Sequence, residues 1–408
     1  MPEKVRPYKS PSERISRVPP SVMFELADKI RQLQSKGREI IDLSLGQPEV
    51  PAPAHISRAM QEALETPLTS YTSSAGSIEL RRLIAERYTM ESGVDTGEQE
   101  VIVTSGSKHA LFISLLSLVD PGDEILVHEP FFPAYAEIAE LTEAKLRTVP
   151  VSTSFSDDTA AFKLDLDQLF SKVTPKTKLI LLNYPNNPAG WTLGRDEVKR
   201  VANYCSGRGI YLLSDEIYDR IVFDGRNHCH AWSFSADSQY IIGLGSFSKT
   251  YSMVPFRLGY IIARRRICKD FLKSQRATIT MVSPYIQKAG VAALTGPQDF
   301  IAARCTKYQE RRDRCVSMLR KSGVPVRIPQ GAFYLFVKMP EKVIADASEF
   351  VLDFLENEGI ALFPGSIFGE RWKGYVRISL ATEDKSLYHA VERFAEAWAS
   401  IASGKKLV

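Results

Sequence analysis

Tyr240-Ile241-Ile242-Gly243-Leu244-Gly245-Ser246-Phe247-Ser248-Lys249-Thr250 begins as a β-strand and ends on reactive side chains. Tyr240 to Leu244 is an unbroken run of strand length, the pattern of a strand buried on both faces of a mostly parallel sheet. The polar residues come just after it, where a strand gives way to a loop. The same arrangement recurs along the chain. Val101 to Thr104 is followed by Gly106-Ser107-Lys108, Leu179 to Asn183 by Asn187, and Tyr211 to Ser214 by Asp215 and Tyr218. Glu124 to Val127 and Leu258 to Ile262 complete the strand candidates, and helical patterns such as Ala110 to Leu118 lie between them. Alternation of this kind predicts an α/β fold with helices on both faces of a mostly parallel, mixed sheet. Ligands of open α/β sheets bind outside the carboxyl ends of the strands, where these four polar groups converge.

Outward from this centre the character changes. Ser21 to Gln34 carries Val22, Leu26, Ala27, Ile30 and Leu33 on one helical stripe, with Gly37 past its end and a short strand predicted over Ile40 to Leu45. Pro297 is expected to open a long helix that Gly323 stops, with Ile301, Cys305, Tyr308, Cys315 and Leu319 in helical register. Beyond it, strands are expected over Val324 to Val337 and Gly374 to Leu380, and helices around Ala347 to Glu358 and Lys385 to Ala402. The expected organisation is an arm (residues 1–20), a large domain (51–296), and a smaller α+β domain built from residues 21–50 and 297–408.

Composition narrows the function. Of 408 residues, 44% are hydrophobic and 25% charged, and 52 basic against 48 acidic side chains are spread without a block. An ordinary soluble globular protein is expected, without a nucleic-acid footprint. The longest apolar stretch, Leu111 to Val119, is far short of the roughly 20 residues that span a bilayer. The first 21 residues carry five basic and two acidic side chains and five prolines. Lacking an apolar core, they read as a flexible arm or one that packs on a neighbouring subunit, not as a secretory signal. Five cysteines, an odd number without a C-x-x-C pair, point to a reducing, cytoplasmic compartment. His228-Cys229-His230 would put two histidines on one face of a strand. With no further ligand near in sequence, no metal is expected.

A lysine attacks an aldehyde only as the neutral amine, so Lys249 needs surroundings that lower its ordinary pKa near 10.4. Gly243 to Thr250 nearly matches the phosphate loop of nucleotide hydrolases. Ser248 replaces its second glycine, however, and Pro255 falls in the first turn of the helix that the motif requires. Asp215, Ser246 and Arg257 instead supply a carboxylate for a pyridine nitrogen and a hydroxyl and a guanidinium for a phosphate. Together with Lys249 they can hold one pyridoxal phosphate.

Tyr184-Pro-Asn-Asn187-Pro-Ala-Gly190, Ser214-Asp-Glu-Ile-Tyr218, Ser246-Phe-Ser-Lys249 and Gly331-Ala-Phe-Tyr334 stand in one order along the chain. In these motifs it resembles the fold-type I pyridoxal-phosphate aminotransferases, specifically the class I group that includes aspartate and aromatic aminotransferases. The resemblance runs from Leu45-Gly46-Gln47-Pro48 to Val376-Arg377-Ile378-Ser379. It implies that Lys249 is the Schiff-base lysine and general base, that Asp215 partners the pyridine nitrogen, and that Tyr218 and Asn187 donate to the phenolic oxygen. Arg257, Ser246 and Ser107, with Gly106 and Lys108 at the same helix start, would surround the phosphate. Phe132 would stack on the ring, Tyr71 would reach the phosphate of the other subunit of a homodimer, and Arg377, with Gly46, would clamp the substrate α-carboxylate. A cis Asn187-Pro188 bond is also implied. Pro255-Phe256 replaces the usual Gly-Trp before the phosphate arginine, and Phe132 replaces the tryptophan or tyrosine of several relatives.

The expected activity is ping-pong transfer of an amino group from an L-amino acid to a 2-oxo acid. Dicarboxylic donors are favoured because Lys108 matches a lysine that, in a subgroup of the family, helps bind their distal carboxylate. Aromatic or neutral donors, or a lyase or synthase on the same cofactor, are the alternatives. A transcription regulator with this fold would carry a DNA-binding domain, for which about 20 residues ahead of the fold are too few.

Overall fold

Seven strands form the central sheet of the computed structural model, which describes residues 12–18, 22–66, 71–152, 161–341 and 346–404. Their spatial order is Val101–Thr104, Gly259–Ile262, Ile241–Ser246, Tyr211–Asp215, Thr177–Asn183, Glu124–Glu129 and Lys145–Pro150. Gly259–Ile262 runs antiparallel to both neighbours, and the other pairings are parallel. The sheet is mixed, as expected. The register sets Asn183 beside Asp215 and Asp215 beside Leu244. Three strand ends thus bring polar groups to one edge of the sheet. Outside the edge strand Lys145–Pro150 almost every strand residue is buried, because helices cover both faces.

The strands predicted for the central sheet are found within two or three residues. Lys145–Pro150 was not expected, because this edge strand is mostly half-exposed and carries no apolar run. The helix expected from Ala110 begins at Gly106, so Gly106, Ser107 and Lys108 form its first turn rather than a preceding loop. The long helix begins at Asp299 rather than Pro297, with Gln298 as its cap and an acidic residue at the positive dipole end. Only Ile41–Asp42 of the strand expected over 40–45 pairs, and only Tyr334–Lys338 of the 324–337 stretch forms a strand.

The N- and C-terminal segments are interwoven. Ile41–Asp42 pairs in parallel with Ile360–Ala361. Phe363–Pro364, Tyr375–Ser379 and Tyr334–Lys338 make an antiparallel three-stranded sheet, with Arg377 opposite Phe336. Leu43, Tyr308, Leu319, Phe333, Phe354 and Phe394 share one hydrophobic cluster beneath it. Arg311 of the long helix is buried between Glu49 and Asp384, an ion-pair bridge from the N-terminal segment to the last helix. Ser21, Ser70 and most of the expected arm lie outside the described residues. From the arm, Glu13–Arg17 is a short helix whose Arg17 pairs with Glu140 at 3.3 Å.

Candidate active site

A cavity of ≈ 250 Å3 opens at the carboxyl edge of the sheet. The sheet contributes Asn183, Asp215, Tyr218, Ser248 and Lys249 to it, and the C-terminal segment Tyr334 and Arg377. Gly46, Gln47 and Met23 come from the N-terminal segment, and Ser107, Lys108, Leu111, Phe132 and Tyr135 from the helices in front.

The Lys249 amine donates to the carbonyl oxygen of Gly46. Burial pushes its pKa down to about 8, helped by the Arg377 and Arg257 charges and opposed by Asp215. The surroundings therefore do what the chemistry of a nucleophilic or proton-abstracting lysine demands, and hold part of it neutral near pH 7.

Asp215 presents two unlike oxygens. Its Oδ2 accepts a hydrogen bond from the Tyr135 hydroxyl at 2.7 Å, whereas Oδ1 is buried without a partner. Burial raises this carboxyl to about 6, against the hydrogen bond from Tyr135. A buried acceptor left open in this way suits a cationic N–H delivered by a ligand. The backbone behind it is fixed by an uninterrupted relay. Asn183 Nδ2 donates to the Asp215 carbonyl at 3.0 Å, and the Asn183 amide donates to His128 Nε2 at 3.0 Å. His128 Nδ1 in turn bonds the Pro130 carbonyl at 2.8 Å, and burial holds this histidine down at about 4.

Opposite Asp215 lie Tyr218, Tyr334 and Arg377. The two phenols share a 2.8 Å hydrogen bond, and burial raises both. Arg377 donates to Asn187 Oδ1 at 2.9 Å and to the Ser44 carbonyl, while its Nε has no partner. Its guanidinium lies 4.3 Å from the Tyr334 ring centroid and 4.9 Å from that of Phe363. Burial lowers its pKa, though an arginine stays charged throughout the physiological range. The result is a desolvated fork facing the cavity, suited to a carboxylate. Gly46 must be glycine here: a Cβ would stand 2.6 Å from the Tyr334 hydroxyl. Asn187-Pro188 is cis, as expected, and so are Tyr184-Pro185 and Glu129-Pro130.

The helix Gly106–Leu118 points its start at the same cavity. Its cap, Ser105, makes no side-chain hydrogen bond, so the first-turn amides remain available. Arg257 sits against Gly106, and a Cβ on Gly259 would come within 2.6 Å of the Ser107 amide nitrogen. Uncapped amides, a dipole end and a guanidinium in close approach form a cradle for an anion such as phosphate. Arg257 is held there at φ 53°, a left-handed conformation rare outside glycine, and its Nη1 donates to the Val254 carbonyl at 3.2 Å.

Not every expected site residue lines the cavity. Ser246 lies just behind it, its hydroxyl accepting from the Ser248 amide at 3.1 Å. Gly106 contributes backbone only. Tyr71 is 85% exposed and stands outside. Lys108 does line the cavity, but its amine pairs with Glu137 at 2.8 Å. Phe132 lines it too, edge-on to Tyr135. Tyr135 itself was missed, since Phe131-Phe-Pro-Ala-Tyr135 reads as ordinary core, and so was Asn183, hidden at the end of an apolar strand. Tyr334 belongs to the motif Gly331-Ala-Phe-Tyr334, and only the fold shows it at the cavity beside Tyr218.

The family model described as "Aminotransferase class I and II" matches residues 38–394. The chain belongs to this aminotransferase family. It is 33% identical over 382 residues to an aspartate aminotransferase of Pyrococcus horikoshii, covering 92% of this chain and 96% of that one. Against aromatic-amino-acid aminotransferase 2 of Thermococcus litoralis it is 30% identical, covering 97% and 99%. The crystal structure of an aspartate aminotransferase from Thermotoga maritima superposes with a TM-score of 0.87 at 32% identity, covering 94% of this chain and 99% of that one. The protein is therefore an aminotransferase enzyme of α/β fold. No helix among its described residues is long and apolar enough to cross a membrane.

Proposed function

We propose that this aminotransferase uses pyridoxal 5'-phosphate to move the amino group of a dicarboxylic L-amino acid, aspartate or glutamate, to a 2-oxo acid. The observation that carries the reading is the convergence of Lys249, the open oxygen of Asp215 and the fork of Arg377 on one cavity. The residues fit the cofactor. Asp215 Oδ1 would take the pyridine N–H, the Gly106–Ser107 turn with Arg257 and Ser246 the phosphate, and Phe132 one face of the ring. Tyr218 and Asn187 would face the phenolic oxygen. When bound, the cofactor supplies an aldehyde that carries the amino group and a ring that accepts carbanion charge.

Within that frame the side chains divide the work. Arg377 would grip the α-carboxylate in a two-bond fork and so orient the Cα–H bond. Lys249 Nζ, kept partly neutral by burial, would move the proton between Cα and the cofactor carbon C4′. Asp215 would stay ionised once its open oxygen faces a cation, which offsets the upward push of burial on its pKa.

Lys108 supports the dicarboxylic preference, and so do the aspartate aminotransferases among the relatives. The ion pair of Lys108 with Glu137, together with apolar Met23, Leu111 and Val254 at the cavity, favours aromatic donors as the second reading. Measuring kcat/KM for aspartate, glutamate, tyrosine and alanine, with and without 2-oxoglutarate, tests both. Equal turnover without the oxo acid would instead indicate a lyase or synthase. We further propose a homodimer with shared active sites, in which exposed Tyr71 reaches the partner's phosphate site, and a division into domains at 21–50 with 297–408 and 51–296. Five free thiols support a reducing cytoplasm.

A further inference from the structure

His228 and His230 lack a third ligand in sequence but meet one in space. We propose that Glu216, His228 and His230 form a binding site for a divalent transition-metal ion of the zinc type, directed away from the cavity of Asp215. One ligand atom from each of these three residues lies within 4.8 Å of the other two. Glu216 Oε2 is hydrogen-bonded by His230 Nδ1 and stands 3.3 Å from His228 Nε2. About 3.3 Å is the edge of a tetrahedron with ~2.0 Å metal–ligand bonds.

A second observation sets this cluster apart from an ordinary buried ion pair. His228, its side chain only 5% exposed, has no partner at Nδ1, and its Nε2 faces Glu216 Oε2 at 3.3 Å without the alignment of a good hydrogen bond. Ring nitrogens buried from water without a well-aligned hydrogen bond are costly unless something takes the lone pair. The ring is also held in place, stacked on Tyr184 at 5.3 Å between centroids and edge-on to His230 at 4.7 Å. Cys229 is turned into the hydrophobic core and offers no sulfur.

The charge balance agrees. Glu91, Asp219 and Glu216 are set against Arg87 and Arg220, which pair with Glu91 and with Asp219. Glu216, backed by the Ser214 and Tyr184 hydroxyls and the Ala231 amide at its other oxygen, is the carboxylate left without a guanidinium. Two neutral imidazoles and one carboxylate form a borderline donor set that suits Zn2+ or Co2+ over Mg2+ or Ca2+. A cleft of ≈ 750 Å3, lined by Asp219, Asn227, His228 and His230, gives entry for the ion and room for a water as fourth ligand. On binding, the proton between His230 Nδ1 and Glu216 would leave to solvent. No electron moves.

The cofactor-loaded protein, freed of metal with a chelator, is titrated with Co2+ and then Zn2+. Expected are one ion per chain, visible cobalt bands of a four- or five-coordinate site, and a melting temperature raised by Zn2+ and restored by chelator. His228→Phe removes a ligand without removing a hydrogen bond, and should weaken binding at least ~10-fold. Cys229→Ser should bind as the wild type does. Unchanged affinity in His228→Phe, or no uptake by the wild-type protein at ~0.1 mM metal, would overturn the proposal. If His228→Phe does not fold, X-ray absorption of the zinc-loaded wild type decides: histidine and carboxylate scattering supports the site, a sulfur shell refutes it.

Discussion

Asp215 and Glu216 are neighbours in sequence, both buried, and opposite in nearly every other respect. Asp215 faces the cavity with one oxygen open, and burial lifts its carboxyl to about 6. Glu216 turns the other way, every oxygen engaged, and His230 and His228 hold its carboxyl far below the ordinary range in spite of burial. On one side of this strand end the open group is the carboxylate itself; on the other the carboxylate is engaged, and the open group is the His228 ring beside it. Substitutions on the cavity side should therefore cost activity and spare stability, and substitutions behind it the reverse.

The largest expected effect is on the cavity side. Lys249→Ala should lose turnover by ~10^4-fold or more while retaining cofactor through the remaining contacts. Borohydride reduction of the wild type should fix the pyridoxyl group on Lys249, as peptide mapping would report. An adduct on another lysine would break the assignment. Arg377→Lys keeps the charge but loses the fork, and should lower kcat/KM for donor and acceptor alike by ~10–100-fold. A melting temperature that collapsed with it would show that Arg377 is mainly structural.

The adjacent pair gives the sharpest test, because the signs differ. In cofactor-free protein the folded state holds the Asp215 proton to about 6, whereas the unfolded chain releases it near 3.9. Stability should thus decline as pH rises from ~4 to ~6, and Asp215→Asn should relieve ~1–3 kcal/mol above that window. Glu216 is depressed, so its contribution is full above ~4.3 and fades as pH falls below it. Glu216→Gln should cost ~3 kcal/mol at pH 7 by leaving buried histidines poorly paired. Thermal melts of both variants from pH 4 to pH 8 would check the pair, and the same sign for the two at pH 7 would end the comparison.

The smallest effect should be at Lys108, which lines the cavity yet is tied to Glu137. If its amine leaves Glu137 for a distal carboxylate, Lys108→Leu should reduce kcat/KM for aspartate ~10-fold or more and leave tyrosine unchanged. A change within about twofold for aspartate would assign Lys108 to its surface ion pair, whose own value is ~0–1 kcal/mol.

What sequence could reveal followed from how each residue announces itself. Ile241, Ile242 and Leu244 are apolar on both faces because helices cover both, so the strand and the site at its end were legible together. The half-exposed edge strand Lys145–Pro150 carries no such signature. Tyr135 was invisible for a different reason. Its ring is fully buried and looks like core, and only the fold brings its hydroxyl to Asp215 from another element. His228 and His230 were legible as a pair, but their partner lies across a turn that spacing cannot close.

The pairing of Ile41–Asp42 with Ile360–Ala361 bears on how the protein is made. Chains emerge amino end first at ~5–20 residues per second, and early elements fold as they appear. Here residues 41–46 must wait, unpartnered, while more than three hundred others are synthesised. Only then can Ser44 receive the Arg377 guanidinium. The seven-stranded sheet can be complete well before that moment, so a nascent chain would own Lys249 and Asp215 while still lacking Arg377 at the cavity. Competence to act on substrate would arrive only once the segment around residue 377 has emerged.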